Sequence, residues 1–120
     1  MYHNYKELKV WQKSRLLVKD LYELSLQFPS DEKFGLTSQL RRAAVSISLN
    51  ISEGTGRSSD KDFVNFLHHA LGSCYEVENI LILCADLKLV GADPVEAMLL
   101  RTTEIQRMLN GLIDSLNSKF

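Results

Sequence analysis

Six cations in the first half of this 120-residue chain fall into two arrangements that suit contact with phosphate. Lys6, Lys9 and Lys13 recur at three- and four-residue spacing, which places their ammonium groups on one flank of a helix. Arg41 and Arg42 are adjacent, and Arg57 follows a glycine-rich break. Such groups neutralise a nucleic-acid backbone by displacing its counterions. The same spacing also describes a solvated helix face, and for a monomer that is the simpler reading.

Other residue patterns argue against particular chemistries. Gly54-Thr55-Gly56 precedes a predicted helix, but it lacks the Lys-Ser/Thr pair and preceding strand of a nucleotide loop, so it reads as a turn. His68 and His69 are neighbours whose side chains diverge by about 100° around a helix. They cannot hold one metal together. Polar-flank histidines, with His68 half buried, are expected instead. Glu53, Glu76 and Glu78 are the carboxylates placed to approach an interior or an interface. Arg42 and Glu53 lie within about 20° of one another around a helix, and with Ser46 they make a polar stripe. Paired carboxylates can perform acid–base work, but pairing with Arg41, Arg42 and Arg57 on an adjoining helix or subunit explains them better. There is no Glu-x-x-His pair of the di-iron bundle kind. No enzyme, metal or cofactor is expected.

Composition sets wider bounds. The formal net charge is -1, so no global basic field announces a nucleic-acid partner. Residues 1–60 carry nine Lys/Arg against seven Asp/Glu, and residues 61–120 carry five against eight, which puts any basic surface in the first half. Cys74 and Cys84 are separated by about 15 Å of predicted helix, beyond disulfide reach, and read as core residues in a reducing cytosol. No signal-peptide pattern is visible, and no apolar run is long enough to span a bilayer.

The elements that position these residues are four helices in one domain over 1–120. The first is expected at about Lys6–Gln27, with Val10, Ser14, Leu17, Val18, Leu21, Leu24 and Phe28 as its apolar stripe. Pro29 ends it, and Ser30-Asp31-Glu32 supplies a cap and acidic charge for the second, at about Leu36–Glu53. That helix sets a thin ridge of Leu36, Leu40, Ile47 and Ile51 among small residues, notably Ala43, Ala44 and Ser46. Two glycines then break the chain, and Ser59 with Asp62 caps a third helix at about Asp60–Leu89. Gly91 is placed to stop it. Asp93-Pro94-Val95-Glu96 reads as an Asp cap followed by proline at the first helical position of the fourth helix. That helix directs Val95, Met98, Leu99, Thr102, Ile105, Leu109, Leu112 and Leu116 inward. No segment alternates with period two. Short breaks between long helices give an all-α, up-down-up-down antiparallel four-helix bundle. Val45 and Leu49 on the second helix, and Ile80, Leu83 and Leu87 on the third, lie away from the main stripes. They predict self-association.

Several segments resemble the four-helix-bundle, or ribosomal RNA intervening-sequence, protein family of bacteria, which is related to accessory proteins of diversity-generating retroelements. They include Leu8-Lys9-Val10-Trp11-Gln12-Lys13, Gly35-Leu36-Thr37-Ser38-Gln39-Leu40-Arg41-Arg42-Ala43-Ala44, Asn50-Ile51-Ser52-Glu53-Gly54 and Ala70-Leu71-Gly72-Ser73. Ser48 and Ser52 stand where that family usually has Pro and Ala. The resemblance implies a homopentameric barrel without catalytic activity that binds RNA, DNA or a ribonucleoprotein. It implies Lys9, Lys13, Arg41, Arg42 and Arg57 as the contacts. An oligomeric scaffold touching only protein partners is the alternative.

Overall fold

In the computed structural model, which describes residues 4–119, all regular structure is helical. The helices are α1 (Lys9–Ser25), α2 (Leu36–Thr55), α3 (Asp60–Asp86) and α4 (Ala92–Asn117), with short 3-10 turns at Tyr5–Glu7 and Ser30–Glu32. Each helix packs on its two neighbours in the cyclic order α1, α2, α3, α4, giving a rod of 46 × 21 × 20 Å.

Cross-helix pairs fix the directions. Lys13 and Asp20 of α1 meet Glu104 and Arg101 of α4. Ser46 meets Ser73 across α2 and α3, while Gly54 lies against Phe63. Glu78 of α3 meets Gln106 of α4, and Asp60 meets Lys119. In each pair of helices the residue numbers run in opposite senses, which is the expected up-down-up-down order.

The core is one cluster drawn from all four helices. Leu17, Leu21, Leu40, Ile47, Phe63, Leu67, Leu81, Ile105 and Leu109 lose essentially all contact with solvent. Each such side chain contributes on the order of 1.5–3 kcal/mol on burial. The small residues of α2 have the use their size suggests. Ala43 and Ala44 are buried, as is Ala70 on α3, and Ser73 Oγ comes within 2.9 Å of Ser46 Oγ, which also accepts from Asn50 Nδ2 at 3.0 Å.

Several boundaries differ from the predicted ones for local reasons. Leu8 is extended, so α1 starts at Lys9, and the preceding turn is capped by Asn4 Oδ1, which accepts from Lys6 N at 3.1 Å. Ser30–Glu32 forms its own 3-10 turn; α2 is preceded by Gly35 without a side-chain cap, although Glu32 Oε1 approaches Leu36 N at 3.4 Å. Gly54 does not break α2. It is buried inside the helix, where an added Cβ would stand 2.7 Å from Phe63 Cδ1 and 2.9 Å from Phe66 Cβ. The glycine is there for close approach, and the turn falls at Gly56.

Ser59 caps α3 as expected, its hydroxyl accepting from Asp62 N at 3.1 Å. At the other end Lys88, not Gly91, takes the left-handed conformation (φ 58°) that closes the helix. Lys88 N donates to Ala85 O and Leu89 N to Cys84 O, a Schellman arrangement. Gly91 instead precedes α4, and Asp93 is a first-turn residue with no side-chain capping bond. Asp93 therefore acts on α4 through its charge near the helix N-terminus. Ile80 is buried and belongs to the core, whereas Leu83 and Leu87 remain exposed. His68 is exposed rather than half buried.

Candidate nucleic-acid interface

Arg41 and Arg42 stand on the outward side of α2, because the ridge of Leu40, Ala44, Ile47 and Ile51 turns the opposite side into the core. Arg41 leans toward α1. Its Nε donates to Ser25 Oγ at 2.8 Å, and its guanidinium carbon lies 4.7 Å from the centroid of the Tyr22 ring. The two arginines line a shallow groove of about 430 Å³ with Tyr22, Val45, Ser46, Leu49, Asn50 and Glu53. The Arg42–Ser46–Glu53 stripe predicted from helical spacing is thus one wall of a real groove. Glu53 is at its far end, some two turns from Arg42's neighbour Ser46.

The remaining predicted cations are separated from this groove. Lys13 is committed to Glu104 on α4 at 2.8 Å, and Lys9, one turn earlier, shares that flank of α1. Arg57, just past the end of α2, lies over the Phe66 ring at 4.4 Å. Arg41 and Arg42 come together; Lys9 with Lys13, and Arg57, occupy two other places on the surface.

Tyr22 is the α1 residue that lines the groove, and Trp11, partly buried against the core, and Arg15 share its stripe. Trp11, Arg15 and Tyr22 fall within about 40° of one another at 100° per residue. Arg15 lies 5.7 Å from the Trp11 ring centroid. Tyr5 packs edge-on to Trp11, with centroids 5.0 Å apart. Gln12 Nε2 donates to Lys6 O at 2.8 Å and ties the leading turn to α1. The signal that could have found this stripe is the i, i+4, i+11 spacing of two aromatics around an arginine.

Within the subunit the carboxylates do not pair with the arginines. Among the described residues no ion pair joins Glu53, Glu76 or Glu78 to Arg41, Arg42 or Arg57. Glu78 instead accepts from Gln106 Nε2 at 3.1 Å. The start of α3 already carries Asp60 and Asp62 in its first turn, which opposes an anion beside Arg57. No group of His, Cys, Asp and Glu among the described residues is arranged to hold a metal. Nor is any helix among them long and apolar enough to cross a membrane. Both cysteines are buried. Desolvation, and then the Glu78 charge, pushes the Cys74 thiol up to about 12. Cys84 is raised for the same first reason, with Glu32 second.

Against known proteins, residues 6–111 match the family model described as 23S rRNA-intervening sequence protein. Among solved structures, the chain is similar to a protein of unknown function from the S23 ribosomal protein family of Bacteroides thetaiotaomicron VPI-5482. The two share 28% identity with a TM-score of 0.81, over 87% of this chain and 97% of the other. No curated protein gives a significant match.

Proposed function

The chain belongs to the 23S rRNA-intervening sequence protein family, and we propose that it is a non-enzymatic, homo-oligomeric accessory protein that binds RNA or a ribonucleoprotein. The observation that carries this reading is the groove of Arg41 and Arg42, two cations held side by side without a carboxylate partner among the described residues. Arg41 is held in place by Ser25 and Tyr22, so less side-chain freedom is lost when it meets a phosphate. Lys9 and Arg57 add weaker contacts at other places, and Lys13 does so only by releasing Glu104. A net charge of -1 makes a single subunit a weak binder. Repetition of the groove around the homopentamer that the family resemblance implies supplies avidity that one copy lacks.

An electrophoretic shift with structured ribosomal RNA across a salt series tests the reading. Affinity is expected to fall as salt rises. Arg42→Ala should reduce the logarithmic salt slope by about 0.7–0.9, the loss of one phosphate contact. Absence of binding to any RNA or DNA at low salt rejects it. That outcome favours an oligomeric scaffold contacting proteins only.

A further inference from the structure

We propose that the pocket where α1 gives way to α2 binds a phosphate group, carried either on the end of a nucleic acid or on a small phosphate monoester. It adjoins the arginine groove at Arg41, which lines both, and it does not depend on the accessory-protein reading. Ser30 and Lys33 from the connecting segment meet Thr37 and Arg41 from the first two turns of α2. Thr37 is only 7% exposed, and its Oγ1 is buried with no hydrogen-bond partner among the described residues. Because Thr37 also lines the pocket, this hydroxyl lies at the pocket's floor. Buried polar groups are nearly always paired, and an anion entering here supplies the missing acceptor.

The surroundings suit an oxyanion of more than one charge. The 20-residue α2 begins with no side-chain cap at Gly35 and no acidic residue in its first turn, so its N-terminus attracts an anion. Glu32 meets that end only loosely, with Oε1 3.4 Å from Leu36 N, and neither Glu32 nor Asp31 lines the pocket. Arg41 is already oriented. Ser25 Oγ accepts from its Nε at 2.8 Å and donates to Tyr22 O at 2.8 Å. The Nη groups are left for an oxyanion, a planar fork that matches phosphate. Lys33 brings a second cation, and no ion pair holds it among the described residues. Two cations, a hydroxyl and a helix N-terminus exceed what one carboxylate can use, but they match the three free oxygens and nearly two charges of a phosphate monoester. The volume, about 280 Å³, is at the low end for a whole ligand. It fits the phosphate and its nearest atoms, with the exposed Leu26 on the rim beside the ester carbons.

Titration of the full chain with inorganic phosphate, followed by amide nuclear magnetic resonance at constant ionic strength, tests the site. Saturable shifts are expected at the Thr37 and Ser38 amides. Thr37→Val keeps the shape and removes the hydroxyl, and it should weaken binding about tenfold at unchanged helical circular dichroism. Lys33→Ala, at an exposed position, should weaken it several-fold. Phosphate should also raise the melting midpoint of the native chain more than that of Thr37→Val, which a merely structural hydroxyl would not produce. Uridine monophosphate and oligouridylate with a 5′-phosphate or a 5′-hydroxyl then distinguish the sources. A strong preference for the phosphorylated strand over its 5′-hydroxyl form and over the mononucleotide assigns the site to a nucleic-acid end. Equal affinity for mononucleotide and phosphorylated strand assigns it to a small monoester. Shifts that follow ionic strength without saturating, or phosphate affinity unchanged in both variants, overturn the proposal. Neither result touches the RNA shift assay, which depends on Arg42, and loss of RNA binding with phosphate binding intact would reject the accessory-protein reading alone.

Discussion

Cys74 shows how burial without a partner charge turns a reactive group into a structural one. Its thiol is surrounded by core side chains, and desolvation raises it from an ordinary 9.0 to about 12. Only the thiolate attacks, so neither Cys74 nor Cys84 is a nucleophile near neutral pH. The raised value also fixes a sign. The unfolded chain releases the Cys74 proton near pH 9, while the folded chain holds it until about pH 12. The contribution to stability is complete below pH 9 and is lost as pH rises toward 12. The melting midpoint is expected to fall along that alkaline limb, and less steeply in Cys74→Ala. Equal slopes in the two proteins would remove Cys74 from the account. Residue roles of this kind were legible from sequence, because two cysteines ten positions apart on one apolar stripe have nowhere to go but the core. The face made by Trp11, Arg15 and Tyr22 was harder to see. Its spacing lies within α1, but of the three only Tyr22 lines the groove that Arg41 and Arg42 share.

At the scale of elements, apolar stripes and Ser59 located the helices, and the errors concentrate at glycines. Gly54 and Gly91 look like helix breakers because glycine costs about 1 kcal/mol relative to alanine in a helix. That local preference says nothing about a neighbour pressing on the position, and at Gly54 the Phe63 and Phe66 side chains decide the matter. The consequence is a contrast between substitutions of one kind. Gly54→Ala gains helix propensity but overpacks the α2–α3 contact, a cost of about 1–3 kcal/mol, and should lower the melting midpoint. Gly72→Ala has nothing within 4 Å of the new methyl and should raise it by the equivalent of about 0.5–1 kcal/mol. Thermal melts of the two variants check both signs. Lys88 is the other place where the sequence misleads, since a residue with a Cβ holds the left-handed position that closes α3. Lys88→Gly relieves a strain of about 1 kcal/mol and should stabilise the protein by chemical denaturation. An unchanged midpoint there would mean that the Schellman bonds of Lys88 and Leu89 absorb the strain.

For the whole molecule the question is what covers the outer surface of α3. The bundle buries one stripe of each helix. Moving Ile80 into the core leaves Leu83 and Leu87, exposed by 39% and 58%, near the end of α3. Tyr75 and Ile82 lie further around the same helix, at 51% and 45%. Large apolar groups gathered on one helix face are a poor surface for a monomer in water. A rod of 46 × 21 × 20 Å offers that face along its length to a second copy. A ring places unlike faces of successive subunits together, whereas a two-fold dimer must pair like with like. Light scattering at micromolar concentration should give a mass well above the 13.7 kDa monomer. Because apolar contact holds it, that mass should persist at a salt concentration that abolishes RNA binding. Leu83→Glu with Leu87→Glu should return a monomer that is still helical. A native chain of monomer mass would remove the assembly and its avidity together. A dimer or tetramer would keep the interface and reject the fivefold ring.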